Sequence, residues 1–242
     1  RVKRTADLGW GELMPIPENV ENLRRVSAKS SIYQVVCSWI ITGVLKPGEK
    51  IVDSELAKRF NVSRTPVREA IQILEGQKLV YVVPGRATVV ADIDPADIEK
   101  CYRPLADLEA LAAELACGKL TENDFFELEC ALRDAKAASL RDDAAAVMAC
   151  DERFHERIVQ AAGNEYVREF SRTLMLHIRR IKYHYFHLPA MREASAAQHM
   201  GIVEALRAEN APLARDRMRE HWLRAMRGCL NETIAYLEQN EA

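Results

Sequence analysis

Apolar residues first fall into helical register at Ile32, Val35, Val36, Trp39 and Ile40, a spacing that lines one face of a helix starting near Ser30. Gly43 and then Pro47-Gly48 end that helix with a turn. Leu56, Ala57 and Phe60 predict a second, short helix, which Asp53 can cap. After a turn at Asn61-Val62, Ser63 is placed to cap a third helix carrying Val67, Ala70, Ile71 and Leu74. Pro66 is tolerated there because it lies in the first turn. The period then shortens. Leu79-Val80-Tyr81-Val82-Val83 and Ala87-Thr88-Val89-Val90 flank Pro84-Gly85-Arg86, which reads as a two-stranded hairpin with a glycine turn. Residues 1–26 hold Gly9, Gly11, Pro15 and Pro17 without sustained periodicity, and read as a loose arm with a short packed element around Trp10.

Beyond Asp94-Pro95 the pattern is helical almost to the end. It predicts helices over 95–117, 121–140, 143–162, 164–187, 192–208 and 211–238. Thr121-x-x-Asp124 and Asn164 have the chemistry of helix N-terminal caps. No short internal repeat stands out, so these helices are expected to form a bundle rather than a solenoid. The expected fold is mainly α. A winged helix-turn-helix (three helices and a hairpin wing, residues 27–91) follows the arm and precedes an all-helical domain, residues 92–242.

Composition narrows the class. A chain of 242 residues can bury a core without disulfide staples. With 48% apolar and 29% charged residues it is ordinary for a soluble globular protein, which argues against a mostly disordered chain. No apolar run approaches the ~18 residues of a membrane span. No N-terminal stretch combines a basic start with an apolar block, so no secretory signal is expected. Cys37, Cys101, Cys117, Cys130, Cys150 and Cys229 are scattered without a C-x-x-C pair, which points to buried thiols in a reducing compartment, hence a cytoplasmic protein with no membrane partner. Residues 1–90 carry 14 Lys and Arg against 9 Asp and Glu, whereas residues 91–242 carry 20 against 27. A basic front part suggests that it meets a polyanion.

The third helix opens Ser63-Arg64-Thr65-Pro66-Val67-Arg68-Glu69. In a winged helix-turn-helix this end enters the major groove of DNA. The hydroxyls of Ser63 and Thr65 can bond phosphate oxygens, and the free N–H groups of the first turn favour an anion. Arg64 and Arg68, four apart, project from one face and suit guanine O6 and N7. At the hairpin tip Gly85 permits close backbone approach and Arg86 can enter the minor groove or meet phosphate. The same spacing also fits a solvated helix face. Gly43-x-x-x-Pro47-Gly48-Glu49, Glu55-Leu56-Ala57 and Val62-Ser63-Arg64-Thr65-Pro66-Val67-Arg68-Glu69-Ala70 resemble the N-terminal domain of GntR-family transcription regulators. The resemblance implies a homodimer on double-stranded operator DNA, with Ser63, Arg64, Thr65, Arg68, Gly85 and Arg86 as contacts. A basic residue found at the start of the second helix in one branch of that family is replaced here by Ser54.

Asp151 and His155 stand at i and i+4 of one predicted helix and share a face. His199 and His221 each lie 11 residues from Asn210, the predicted turn between the last two helices. If those helices pack antiparallel, both histidines come level, about 16 Å from the turn. One carboxylate and three imidazoles could bind Zn, Ni, Fe or Mn, the first three best. Asp151 could equally cap its helix or pair with Arg153 or Arg157. His177, His184 and His187 read as surface or core histidines. Asp151-Glu152-Arg153-Phe154-His155, Ala161-Ala162-Gly163-Asn164, Gln198-His199-x-x-Ile202 and Met218-x-x-His221 resemble the FCD effector-binding domain of the FadR subfamily. That resemblance implies a divalent metal, with Zn first, on Asp151, His155, His199 and His221, and a small carboxylate metabolite bound above it. It also implies a ligand-responsive regulator, more often a repressor. Members often carry an arginine four residues before the glutamate that is Glu109 here, where this chain has Leu105. Arg103, Arg172 and Arg179 are the candidate substitutes. Two other readings remain: a metal-dependent hydrolase in the bundle, and a constitutive DNA-binding dimer with structural metal.

Overall fold

Ser27 starts the first helix by accepting the Ser30 N–H on its hydroxyl at 3.3 Å. In the computed structural model, which describes residues 27–83, 87–185 and 190–240, this helix, α1 (Ala28–Ile41), buries Ile32, Val36, Cys37, Ile40 and Ile41. The chain turns at Gly43, whose φ of +73° suits a residue without a Cβ, and enters β1 (Lys50–Ile51). The next helix, α2 (Asp53–Phe60), opens at Val52. Asp53 is therefore its first helical residue rather than its cap, and its carboxylate turns to Arg68 instead. In α3 (Arg64–Gly76) Ser63 holds the cap position, but its side chain makes no capping hydrogen bond. The apolar face of α3 is Val67, Ala70, Ile71 and Leu74, as its spacing requires.

The strands β2 (Val80–Val83) and β3 (Ala87–Val90) pair antiparallel, with Val80 opposite Val90. The expected two-stranded hairpin is in fact part of a three-stranded sheet, ordered β1-β3-β2. Two residues are too few to show an alternation. β1 is held by its place beside β3, where the Val90 N–H donates to the Glu49 carbonyl at 2.9 Å and the Gly48 N–H to the Val90 carbonyl at 3.0 Å. The hairpin tip, with Gly85 and Arg86, lies outside the described residues, as does the arm read over 1–26.

Six helices follow: α4 (Ala96–Ala116), α5 (Glu122–Leu140), α6 (Ala144–Ala162), α7 (Glu165–Tyr185), α8 (Ala190–Arg207) and α9 (Ala211–Asn240). Their ends follow local chemistry. Thr121 and Asp124 form a reciprocal capping box at the start of α5. The Asn164 Oδ1 accepts the Tyr166 and Val167 N–H groups at 3.1 and 3.2 Å. Gly163, at φ +67°, ends α6 in a left-handed conformation. The amphipathic faces close on one core containing Tyr102, Leu105, Phe154, Ile158, Ile178, Ile202 and Trp222. Within it α4 packs along α9, α7 and α6, and α8 lies against α9. No described helix is long and apolar enough to cross a membrane. None of the six cysteines is in a disulfide, and Cys37, Cys101, Cys150 and Cys229 are buried.

The helix α7 also reaches the winged region. Leu176 packs against the core formed by Ile32, Val36, Val67 and Leu74. The His177 Nε2–H donates to the Gln77 carbonyl at 2.8 Å. Arg180 donates to the carbonyls of Ala91 and Asp92, the segment that leads into α4.

Candidate functional site

The site is assembled by three helices. On α6, Phe154 and Ile158 point into the core and turn the neighbouring face inward, so Asp151 and His155 point to the bundle interior. The α8–α9 turn is braced by Asn210, whose Oδ1 accepts the Leu213 N–H at 3.2 Å. The antiparallel pair brings His199 and His221 level, with ring centroids 4.4 Å apart. Three histidines are thus buried together, at 1%, 4% and 4% exposure for His155, His199 and His221.

One donor atom from each of Asp151, His155, His199 and His221 lies within 4.8 Å of all the others. The Nε2 atoms of His155 and His199 are 3.2 Å apart, and Asp151 Oδ1 is 3.4 Å from His199 Nε2. Donors around a tetrahedral ion with bonds of 2.0–2.1 Å stand about 3.4 Å from one another, so the spacing suits a small divalent cation. Acceptors behind two of the rings fix the proton. His155 Nδ1 is 2.6 Å from Glu109 Oε2, and His221 Nδ1 is 3.0 Å from Gln198 Oε1. A carboxylate or amide oxygen only accepts, so each Nδ1 carries hydrogen and each Nε2 is left to face the cluster. Glu109 is itself buried at 1% exposure, and its Oε2 also accepts the Trp222 Nε1–H at 2.9 Å.

The electrostatics agree with ligand chemistry. Burial alone would raise Asp151, but Lys182 and the three imidazoles hold its carboxyl far below the ordinary range. Burial pushes His199 down to about 3 and His221 well below its usual value, so both are neutral and able to coordinate at pH 7. Burial also pulls on His155, but the Glu109 carboxylate outweighs it and raises the imidazole.

Of the other candidates, Ser63, Arg64, Thr65 and Arg68 are all exposed at the start of α3. The Arg68 Nε–H donates to Asp53 at 3.1 Å, which orients the guanidinium across the gap between α2 and α3. Arg103 must be struck from the effector set. It projects to solvent from α4 and donates to Glu99 at 3.1 Å, because two residues separate it in helical phase from the core-facing Leu105. Arg172 and Arg179 line a cavity of about 1280 Å³ that reaches His155 and Glu109, and Arg179 pairs there with Glu152. His177, read from the sequence as a structural histidine, ties α7 to the winged region. The side chain of His184 and all of His187 lie outside the described residues.

Sequence reasoning missed three partners. Trp222 carries no motif of its own, and Gln198 stands in the Gln198-His199-x-x-Ile202 motif with no role assigned to it. Lys182, with its Nζ 3.3 Å from Asp151 Oδ2, sits on a helix rich in basic residues and gives no separate signal. Glu109 stood out in the sequence only as the glutamate four residues after Leu105, with no partner assigned, and it lies on the buried face with Leu105, Ala106, Ala110 and Ala113.

Comparison with known proteins fits this two-part design. Residues 28–90 match the family of bacterial regulatory proteins, gntR family, and residues 101–224 match the FCD domain. The chain belongs to the GntR family of transcription regulators and carries an FCD domain. An uncharacterised HTH-type transcriptional regulator from the TAR-I ttuE-ttuC' intergenic region of Agrobacterium vitis is 34% identical to this GntR regulator, over 60% of this chain and 85% of its own length. The HTH-type transcriptional repressor RspR of Escherichia coli K12 is 27% identical, over 78% of this chain and 83% of its own. The solved structure of E. coli McbR/YncC superposes with a TM-score of 0.69, covering 90% of this chain and 100% of that one, and at 23% identity it shows the shared fold. The matched domains and relatives are transcription regulators, so this GntR protein is a DNA-binding regulator and not an enzyme.

Proposed function

We propose that this GntR regulator is a ligand-responsive, metal-dependent switch, acting as a homodimer on a palindromic operator and more often as a repressor. The observation that carries the reading is the buried convergence of Asp151, His155, His199 and His221 within 4.8 Å, in a chain whose front part is a DNA reader. Those four residues would hold one divalent ion. Zn comes first because imidazole and carboxylate suit it, with Ni, Fe or Mn as alternatives. When bound, the ion supplies positive charge and an open coordination position for a carboxylate. Arg172 and Arg179, which line the cavity beside His155, would bind the remainder of a small organic acid. On the DNA side, α3 would enter the major groove with Ser63, Arg64, Thr65 and Arg68, and the wing would bring Gly85 and Arg86 to the minor groove or to phosphate. A dimer matches two half-sites by its own two-fold axis.

A ligand changes DNA affinity only if it binds the competent and incompetent arrangements differently. The contacts of α7 with the winged region give such a difference a physical route. The test is operator binding by the purified chain against a panel of small carboxylic acids, in Zn²⁺ and again in EDTA. The reading expects at least one acid to change operator affinity in Zn²⁺ and none to do so in EDTA. Equal response in both conditions would remove the metal from the switch. No response to metal or to any acid would favour a constitutive DNA-binding dimer with structural metal.

A further inference from the structure

Asp151 presents its two oxygens to different neighbours. Oδ1 faces the imidazoles, 3.4 Å from His199 Nε2 and 4.0 Å from His155 Nε2. Oδ2 meets the Lys182 ammonium at 3.3 Å, and both side chains are only 16% exposed. A carboxylate enclosed by imidazoles and an apolar core needs a positive partner, because a buried charge without one is costly. Lys182 supplies that charge from α7. Its Nζ also stands 5.6 Å from the centre of the Trp222 ring, whose face attracts cations. The ammonium therefore has a second favourable neighbour.

We infer that Lys182 is a tethered substitute cation, which neutralises Asp151 while the site holds no metal and opposes the divalent ion that replaces it. The inference rests on the metal-binding reading above. An ammonium and a divalent cation drawn to one carboxylate repel each other, and the repulsion is strong where water is scarce. Lys182 thus stabilises the empty site and weakens its affinity for metal. It sets the concentration at which the site fills. It also stands two residues from Arg180, so the same helix that carries this charge contact carries the contacts to the winged region.

The experiment compares the full-length wild type with Lys182→Met and Lys182→Gln. Each is stripped with EDTA and desalted. Zn²⁺ affinity is measured by competition with a chromophoric chelator, and Tm is read with and without Zn²⁺. Lys182→Met keeps the length of the side chain. Lys182→Gln keeps a hydrogen-bond donor for Oδ2 and protects the test if the first variant folds poorly. Both variants should melt below the wild type when metal-free. Both should bind Zn²⁺ about tenfold tighter or more, and in Zn²⁺ the gap in Tm should close or reverse. Weaker Zn²⁺ binding by the variants would overturn the inference and make Lys182 a residue that orients Asp151 for the metal. An equal loss of Tm with and without Zn²⁺ would overturn it too, leaving a purely structural contact. Failure of the wild type to bind Zn²⁺ in the same assay would be seen separately, and would sink the metal reading and this inference with it.

Discussion

Glu109 shows how much one buried side chain can settle. Its Oε2 accepts from both His155 and Trp222, so it fixes which nitrogen of His155 faces the cluster and how the ring lies. Partners behind metal-bound histidines are typically worth 10–100-fold in metal affinity. Glu109→Gln should therefore weaken Zn²⁺ binding by about that factor in a chelator competition, and an unchanged affinity would mean that packing alone orients His155. A second carboxylate, Asp124, tests the fold rather than the site. Thr121 donates to its Oδ2 from the backbone N–H at 2.7 Å and from the hydroxyl at 2.8 Å, and these bonds, against some desolvation, hold its carboxyl below the ordinary value. A lowered folded-state value means that this stability is present at neutral pH and is lost as pH falls through the acid range. Asp124→Asn should cost about 1 kcal/mol at pH 7 by denaturant melts, and the difference from wild type should shrink below pH ~4 as Asp124 itself takes up a proton. A gap undiminished after the carboxyl has been protonated in the folded protein would show that charge has no part in the cap. That Asp151, His155, His199 and His221 come together could be anticipated from the sequence because i, i+4 spacing and equal distance from Asn210 are properties of the chain. The roles of Glu109, Gln198 and Lys182 could not, since each acts across helices that only packing brings together.

At the scale of elements, the helix ends were legible because caps are local chemistry. Thr121 with Asp124, Asn164 and Gly163 do what their types allow. Two local expectations failed for non-local reasons. Asp53 gave up a capping position to pair with Arg68 on the next helix, and β1 exists only because β3 lies beside it. Nothing in the sequence set α7 apart as a link either, although it carries Leu176, His177 and Arg180 onto the winged region and Lys182 onto Asp151. If α7 links the two, then His177→Ala should leave Zn²⁺ binding intact and bring the ratio of operator affinities with and without Zn²⁺ closer to one. An unaltered ratio would place the coupling in another element. Within α3, Arg68→Ala should weaken specific operator binding by about 1–3 kcal/mol if Arg68 reads a base. Equal losses on operator and random DNA would make it a phosphate contact.

For the whole molecule, the basic front part and the acidic remainder divide the work. The winged region is the DNA-binding part, and among the described residues α7 and the segment around Ala91 carry contacts between it and the bundle. Operator affinity should fall steeply with salt, with a slope near −0.9 for each phosphate neutralised, and a flat response would deny that the winged region binds DNA through its charge. The coupling itself requires that the bundle hold an ion, which is where the account is most exposed. The most direct check is the metal content of the purified full-length protein by elemental analysis, after Zn²⁺ loading and desalting, beside His199→Ala treated in the same way. The account predicts one ion per chain in the wild type and close to none in the variant, with operator binding by the variant still present. A full complement of metal in His199→Ala, or none in the loaded wild type, would contradict it.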